Sequence, residues 1–265
     1  MKRSLLALLF IGVTLSYAQE CEVYHKINSL TNEISIIAEN KSIMPYTIKL
    51  EANFKGMKSN QKFPFTKIVD ANKVDTLAKF LPEKNTSISF GFNSTKVEGN
   101  ILAKHNDQVV YELPYKKGTS YKIDQGYNGK STHQNKNALD FHMEEGTEIC
   151  AIRDGLVVKT IDKHDKGCPD ESCARFNNFI LVLHNDGSYA DYSHLKRGGA
   201  LVKVGDRVKA GQIIGLSGQT GIASGPHLHL EVYTMTWDGQ NSIAVKYMVE
   251  GKATLPVEGM SYLKR

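Results

Sequence analysis

Five polar residues in three separate stretches of the chain have the types and the spacing of a metal centre. His133 and Asp140 form an H-x6-D pair. His194 lies in a Tyr-Ser-His-Leu segment, and His227 and His229 enclose a single leucine. Imidazole and carboxylate groups bind zinc, and a catalytic zinc site needs three such ligands and one position open for water. The five residues therefore predict one zinc ion per chain, with two imidazoles left over for proton transfer.

The His-Leu-His triplet is the most informative of the three stretches. Residues two apart in a strand face the same side of a sheet. The two imidazoles of His227 and His229 should then point one way, while Leu228 and Leu230 point into the core. One histidine can bind the metal while the other stands beside the metal's water. Such pairs also occur by chance in β-proteins, so the neighbouring sequence has to decide.

The segments around these residues closely resemble the M23 family (lysostaphin/LytM-like) of zinc metallopeptidases, which cut the peptide bridges of bacterial cell walls. They are THQNKNALDF, EEGTEICAIRDGLVV, YADYSHL and GLSGQTGIASGPHLHLEV, in order from about Tyr111 to about Val245. The commonest first pair in the family is H-x3-D, so the loop between His133 and Asp140 is longer here. In-order agreement over several separate segments makes the resemblance specific.

The resemblance implies a role for each of the five residues. His133, Asp140 and His229 would be the metal ligands, and His194 and His227 the catalytic residues. Zinc at this site would lower the pKa of a water molecule. The two catalytic histidines would orient that water, stabilise the oxyanion and carry the proton to the leaving amine. The sequence leaves open which histidine performs which step.

The function implied is that of an exported zinc metalloendopeptidase that acts on peptidoglycan peptides or other Gly-rich peptides. One alternative is a catalytically silent M23-like regulator of cell-wall amidases, in which one of the five residues should have been replaced. Another is a wall-binding module whose N-terminal part does the main work. The bond that is cut, the source of the cell wall and the oligomeric state are left open.

Other histidines could be mistaken for ligands. His142 stands two residues after Asp140 and could share its face of a strand, but the family resemblance does not use it. His184 precedes an Asn-Asp-Gly turn, and His164 belongs to a cysteine-containing loop. We expect these three side chains to have structural roles.

The pattern of short strand-like runs predicts an all-β fold in two domains. Residues 19–114 contain such runs separated by turn clusters, with the last at about Val109 to Leu113, which predicts a β-sandwich-like accessory domain. Residues 115–265 are rich in short β runs and glycines and have no helical periodicity, so we expect a mostly antiparallel β peptidase core. The segment from Pro114 to Gly118 is typical of a linker.

The N-terminus has the features of a secretory signal peptide over residues 1–18. Lys2 and Arg3 are followed by an apolar run, and Ser16-Tyr17-Ala18 is a small-residue cleavage site. The run is shorter than the roughly 20 residues that a membrane-spanning helix needs. No later segment is apolar enough to span, so we expect an exported protein, periplasmic or secreted.

The cysteines and the net charge agree with that location. Four cysteines suit an oxidising compartment. Cys168 and Cys173 favour a short disulfide, with a zinc knuckle as the alternative, and Cys150 should be a buried thiol. The formal net charge of +5 includes Lys2 and Arg3 of the predicted signal peptide, so the mature form is nearer +3, and this mild basicity suits an anionic polymer such as a cell wall. It is too small and too dispersed for a nucleic-acid-binding protein.

Overall fold

The structure is a computed structural model that describes residues 20–265, so the predicted signal peptide lies outside the described residues. The N-terminal strands are β1 (Cys21–Ile27), β2 (Ile34–Asn40), β3 (Tyr46–Lys55), β4 (Met57–Ser59), β5 (Phe65–Val69), β6 (Lys73–Pro82) and β7 (Ser89–Glu98). The strands that follow are β8 (Val110–Tyr111), β9 (Ser120–Gln125), β10 (Ala138–His142), β11 (Glu148–Cys150), β12 (Gly155–Ile161), β13 (Gly167–Cys168), β14 (Phe179–Leu183), β15 (Tyr189–Ser193), β16 (Leu195–Ala200), β17 (Arg207–Val208), β18 (Ile213–Ser217), β19 (Gly221–Ile222), β20 (His227–Thr236), β21 (Gly239–Ser242), β22 (Lys246–Val249), β23 (Lys252–Thr254) and β24 (Ser261–Leu263). Over the described range, one short 3-10 helix, Glu171–Phe176, interrupts the strands. The all-β fold class is confirmed.

The N-terminal strands form two sheets around a common core. One sheet has the order β1-β2-β6-β4 and the other β5-β3-β7. Strand β2 shows why they pack, because Ile34, Ile36 and Ala38 alternate with more exposed residues and are buried. They meet Ile48 and Leu50 of the other sheet in a single apolar cluster.

The C-terminal strands build a large sheet that is covered on one face. It contains nine strands in the order β17-β12-β14-β15-β20-β10-β9-β24, with β21 attached to β20. A three-stranded sheet, β11-β18-β16, supplies the cover. Ile149 and Ile214 of this smaller sheet are buried in one core with Leu228 and Leu230 of β20. The two leucines of the His-Leu-His region therefore point inward, as their alternation predicted.

Antiparallel register brings polar residues together on the uncovered face of the large sheet. Asp140 of β10 lies opposite His229 of β20. Ser193 at the end of β15 lies opposite His229 on the other side. Gln125 of β9 lies opposite Asp140, next to a break in the register. Residues directly opposite in an antiparallel pair share a face, so these strands together build one site.

The segment around residue 110 belongs with the C-terminal core, and this corrects the expectation of a sandwich strand there. Strand β8 pairs in parallel with β22. Tyr111 is fully buried in the core beneath the large sheet. The cause is apolar packing of Tyr111, Leu113 and Tyr115, which the short strand pattern could not assign to either core. The division into domains at residue 114 itself stays a prediction.

A third apolar cluster joins the N-terminal strands to the large sheet. Met44, from the loop between β2 and β3, packs with Leu181, Tyr189 and Tyr233 and so covers part of the face opposite the three-stranded sheet. Within residues 20–265, no helix has the length and apolar character needed to cross a membrane.

Candidate metal centre

Three of the predicted residues converge on one point of the uncovered face. The Nε2 atom of His133 lies 3.3 Å from Asp140 Oδ1 and 3.3 Å from His229 Nδ1. Asp140 Oδ1 lies 2.9 Å from His229 Nδ1. The three potential ligand atoms are all within 4.8 Å of one another. A metal ion could be held by these three atoms at once.

Two of the three residues are positioned by strand pairing and the third by a loop. Asp140 and His229 are direct neighbours across β10 and β20. His133 comes from the loop that joins β9 to β10, and its side chain is buried. Asn135, with a φ of 58°, and the bond from the Lys136 N–H to the His133 carbonyl turn the chain back toward β10. This turn accounts for the longer spacing of the first pair.

Two of the three potential ligands are oriented by a hydrogen bond on their far side, and a carboxylate stands behind the third. The Nδ1–H of His133 donates to the Gly126 carbonyl at 3.1 Å, which leaves Nε2 free for a metal. The Gln125 amide donates to Asp140 Oδ2 at 3.0 Å, which leaves Oδ1 free. Glu231 Oε2 stands 3.8 Å from His229 Nε2. Partners of this kind hold metal ligands in place in zinc proteins, so the donor set fits a zinc ion.

The charges of the site are tightly coupled. Burial alone would raise the pKa of Asp140, but its hydrogen bonds with His133 and His229 hold that pKa far below the usual range. Burial alone would lower the pKa of His229, but the hydrogen bond with Asp140 and the proximity of Glu231 raise it to about 9. The cluster therefore binds positive charge strongly, whether a proton or a metal ion.

The two remaining histidines, His194 and His227, flank the potential ligands, and in both of them Nε2 is the free ring nitrogen. The Nδ1–H of His194 donates to the Thr220 carbonyl at 2.7 Å, and that of His227 donates to the Gly225 carbonyl at 2.9 Å. Each Nε2 is thereby left as an acceptor, and that of His227 lies 3.9 Å from Asp140 Oδ1. The two rings are 4.6 Å apart. Burial, reinforced by the neighbouring histidines, lowers the pKa of His194 to about 3, so this imidazole is neutral at neutral pH.

His194 is held in an unusual backbone conformation by a chain of side chains. Its φ is 66°, in the left-handed region that non-glycine residues seldom adopt. Asn177 Oδ1 accepts the His194 N–H at 3.0 Å. The Asn177 amide in turn donates to Ser193 Oγ at 2.9 Å, and Ser193 donates to Asp191 at 2.7 Å.

The sequence analysis did not identify Asn177 or Gln125 as part of the site, because a single asparagine or glutamine carries no metal-binding pattern.

The metal centre lies at the floor of a groove of about 810 Å³. Lys130 and Thr132, from the loop that carries His133, line one side. Pro169 and Glu171 line another part together with Ile222 of β19. The groove is open to solvent, so a substrate can reach the three potential ligands.

The loop that carries Pro169 and Glu171 is closed by a disulfide. Cys168 and Cys173 are bonded to each other, which confirms the favoured pairing and contradicts the zinc-knuckle alternative. Strand β13 of this loop pairs in parallel with β19. A Cβ atom at Gly167 would lie within bonding range of the Gln219 carbonyl oxygen, so only glycine fits there. Cys150 is a buried free thiol, as expected.

The other histidines lie apart from the ligand set. His142 has a 66% exposed side chain and pairs with Asp124, 2.6 Å away. His184 is buried, its Nδ1–H donates to the Asp154 carbonyl, and burial lowers its pKa to about 4. His164 packs edge-on against Phe176 in the disulfide loop.

Comparison with known proteins gives one family and several relatives. Residues 134–243 match the family model described as peptidase family M23. An uncharacterized metalloprotease of Buchnera aphidicola is 30% identical over 70% of this chain and 49% of its own length. The glycyl-glycine endopeptidase ALE-1 of Staphylococcus capitis is 37% identical over 53% of this chain and 35% of its own length. The peptidoglycan DD-endopeptidase ShyA of Vibrio cholerae is 34% identical over 47% of this chain and 26% of its own length.

The extent of these matches is limited. This chain spans about half or less of the length of each of the three relatives. The matched family segment contains Asp140, His194, His227 and His229, and His133 stands one residue before it.

Proposed function

We propose that this chain, whose C-terminal part belongs to peptidase family M23, is a zinc metalloendopeptidase that hydrolyses peptide cross-bridges of bacterial peptidoglycan. The observation that carries the proposal is the convergence of His133, Asp140 and His229 beneath an open groove. The printed names of two relatives, a glycyl-glycine endopeptidase and a peptidoglycan DD-endopeptidase, support the substrate class.

The three ligands and the two flanking imidazoles divide the chemistry between them. A bound zinc ion supplies Lewis acidity, which lowers the pKa of water and polarises a carbonyl group. His194 is neutral at neutral pH, and its Nε2 lone pair is free to accept a hydrogen bond from the attacking water. His227 Nε2 stands beside Asp140 and can exchange a proton with a group bound there. Between them the two imidazoles can take the proton from water and deliver it to the leaving amine.

The fixed tautomers of these histidines suit that role. Both Nδ1–H groups are held by backbone carbonyls, so the rings cannot turn away from the groove without losing a hydrogen bond. Such fixed groups need little rearrangement when charge develops on the substrate carbonyl. Either histidine, once protonated, could donate to the developing oxyanion.

We further propose that the protein acts outside the cytoplasm. The signal-peptide pattern of residues 1–18 supports export. The disulfide between Cys168 and Cys173 also supports it, because such bonds form and persist in oxidising compartments.

The proposal is tested with two purified peptidoglycans, one with glycine cross-bridges and one with direct D-alanyl–diaminopimelate cross-bridges. Mass spectrometry should find cleaved cross-bridges from at least one of them. Cleavage should stop with a chelator and return with added zinc. Asp140→Ala should be inactive, and His142→Ala, whose residue lies near the site but outside the ligand set, should remain active.

The result also separates the enzyme from its rival, a silent regulator. The presence of all five residues favours the enzyme, since a regulator of this kind should lack one. A zinc-loaded protein that cleaves neither peptidoglycan but stimulates a cell-wall amidase would establish the regulator instead.

A further inference from the structure

The side chain of Gln125, the last residue of β9, connects a potential metal ligand to the loop that carries another. Gln125 is opposite Asp140 in the register of β9 and β10, and it is 9% exposed. Its Oε1 accepts from the backbone N–H groups of Ser131 and Thr132 at 3.1 and 2.9 Å. Its Nε2 donates to Thr132 Oγ1 at 2.7 Å and to Asp140 Oδ2 at 3.0 Å. A glutamine amide has two acceptor and two donor positions, so all four are used.

The loop that carries His133 determines which end of the Gln125 amide faces Asp140. Backbone N–H groups can only donate, so the amide oxygen has to face Ser131 and Thr132. The amide nitrogen therefore faces the Asp140 carboxylate. A flipped amide would set its N–H groups against two backbone N–H groups and its oxygen against a carboxylate oxygen, and these contacts are repulsive. The docking of the loop and the orientation of Asp140 are consequently coupled through one side chain.

The next residue, Gly126, orients His133 itself. The Gly126 carbonyl accepts the Nδ1–H of His133 at 3.1 Å, and the Gly126 N–H donates to Glu258 Oε2 at 3.1 Å. His133 also follows directly after the two residues whose N–H groups bind Gln125. The position of the His133 imidazole therefore depends on how the loop is held against the end of β9.

The loop also packs tightly against the stem of Gln125. A Cβ atom at Gly129 would be 2.5 Å from Gln125 Cγ and 3.0 Å from the Gly126 carbonyl oxygen. Carbon atoms normally approach to about 3.5 to 4.0 Å. The φ of Gly129 lies outside the left-handed region, so its backbone would accept an alanine. Gly129→Ala would therefore displace Gln125 without a change in any ligand.

We propose that Gln125 is a positioning residue that fixes His133 and Asp140 relative to each other before zinc binds. Asp140 is held in place by strand pairing, but His133 lies in a loop, and Gln125 supplies the connection between the two. Its Oε1 holds the loop and its Nε2 holds Asp140 Oδ2, which leaves Asp140 Oδ1 facing His133 Nε2 at 3.3 Å. Partners of metal ligands contribute about 10- to 100-fold in metal affinity or activity. The inference rests on the proposed zinc centre but not on the identity of the substrate.

The first test compares two glutamines of the same part of the chain. Gln125→Met keeps the length of the side chain and removes all four hydrogen bonds. Gln134→Met is the matched control, because Gln134 is exposed and its amide donates to the Lys130 carbonyl rather than to a potential ligand. Zinc affinity, measured by competition with a chromogenic chelator, should fall about 10- to 100-fold in Gln125→Met and stay unchanged in Gln134→Met. Equal zinc affinities in Gln125→Met and the wild type would overturn the inference.

The visible spectrum of the cobalt-substituted protein separates positioning from a purely structural role. The wavelengths of the cobalt bands report the ligands and the geometry around the ion, and they do not depend on how much of the protein is folded. We expect the bands of Gln125→Met to shift from those of the wild type, and the bands of Gln134→Met to coincide with them. Wild-type bands in Gln125→Met, with only a lowered melting temperature, would indicate a structural role and overturn the inference.

A second variant acts from the loop side and keeps the glutamine. Gly129→Ala should displace Gln125 through the close contact with Cγ, so zinc affinity should fall in the same direction as in Gln125→Met. In the Gln125→Ala background, which lacks Cγ, the added Gly129→Ala should cost little further affinity. Equal losses from Gly129→Ala in both backgrounds would show that the two residues act independently and would overturn the coupling.

These outcomes differ from a failure of the proposed function. A wild-type protein that binds zinc but cleaves neither peptidoglycan would overturn the endopeptidase, and the expected difference between Gln125→Met and Gln134→Met would still support the positioning role. A wild-type protein without affinity for zinc would overturn both.

Discussion

At the scale of single residues, the five groups of the metal centre should separate into two classes on mutation. His133→Ala, Asp140→Ala and His229→Ala each remove a potential ligand, so zinc content and activity should fall together. His194→Ala and His227→Ala remove groups that, in the proposed function, transfer protons or stabilise the oxyanion without binding the metal. Zinc should then stay bound while turnover falls by about 10² to 10⁴. Metal analysis and activity on the same preparations give the answer, and an empty site in His227→Ala with zinc retained in His229→Ala would reverse the two roles.

Zinc affinity should depend on pH through His229. Its pKa is raised to about 9 in the metal-free cluster, so the imidazole carries a proton at neutral pH. A metal ligand has to lose that proton. Below pH 9, affinity should therefore rise with pH, by up to about tenfold per unit. Calorimetry at pH 7.5 in two buffers of different ionisation enthalpy should detect close to one proton released per zinc, and no release would show that His229 is neutral without metal.

Asn177 should act on catalysis through the backbone of His194. Asn177→Ala removes the acceptor of the His194 N–H and frees a strained left-handed residue. We expect kcat to fall about tenfold, the usual effect of one such hydrogen bond, with zinc content unchanged. Asn177→Asp keeps the accepting oxygen and should restore part of kcat. Equal losses in both variants, together with loss of zinc, would show that Asn177 serves only the fold.

The reactive groups could be identified from the sequence, but the residues that orient them could not. His227 and His229 could be identified because strand alternation and the flanking motif act together on neighbouring positions. Gln125 and Asn177 act across 15 and 17 residues, on Asp140 and His194. Their positions follow from register and loop closure. No local pattern encodes either.

At the scale of elements, the disulfide loop should control the shape of the groove more than the chemistry. Pro169 and Glu171 of this loop line the groove, and the bond between Cys168 and Cys173 closes a short ring around them. The double variant Cys168→Ser/Cys173→Ser should lose about 2 kcal/mol of stability, from the loop-closure entropy of a short ring. KM should rise several-fold while kcat changes little.

One of the two free thiols, Cys21 and Cys150, gives the control for that variant. Cys150→Ser changes a cysteine that is buried and bonded to nothing, and it does not line the groove. Its KM should equal that of the wild type. A fall in kcat without a rise in KM for the double variant would mean that the loop supports His194 through Asn177 rather than the substrate.

The alternation of apolar and polar residues predicted which side chains of a strand point inward. It did not predict which strands pair or in what register. The inward leucines of β20 were predictable because a strand has a two-residue period. The pairing of Asp140 with His229 depends on register, and a slip by one residue would place the carboxylate on the opposite face. The segment around Tyr111 illustrates the same limit, since a short β run does not reveal which core it joins.

At the scale of the whole molecule, the N-terminal strands pack against the sheet that carries the metal centre. The sequence predicted an accessory β domain because its runs and turns are local signals. It gave no sign of the apolar cluster that Met44 forms with Leu181, Tyr189 and Tyr233. Met44 is distant in the chain from the other three residues, and it lies just after the polar turn segment that ends at Ser42. Contacts of this kind link the stability of the metal centre to the N-terminal part.

That link can be measured by truncating one methionine. Met44→Ala opens a void between the N-terminal strands and the sheet that carries His229, and substitutions of this type cost about 2 to 5 kcal/mol. Met57→Ala is the matched control, because Met57 is similarly buried but packs within the N-terminal core alone. Release of zinc to a dye during heating should occur at a lower temperature in Met44→Ala than in Met57→Ala, since only the first weakens the sheet that holds the ligands. Zinc release at the wild-type temperature in Met44→Ala would show that the two parts unfold independently.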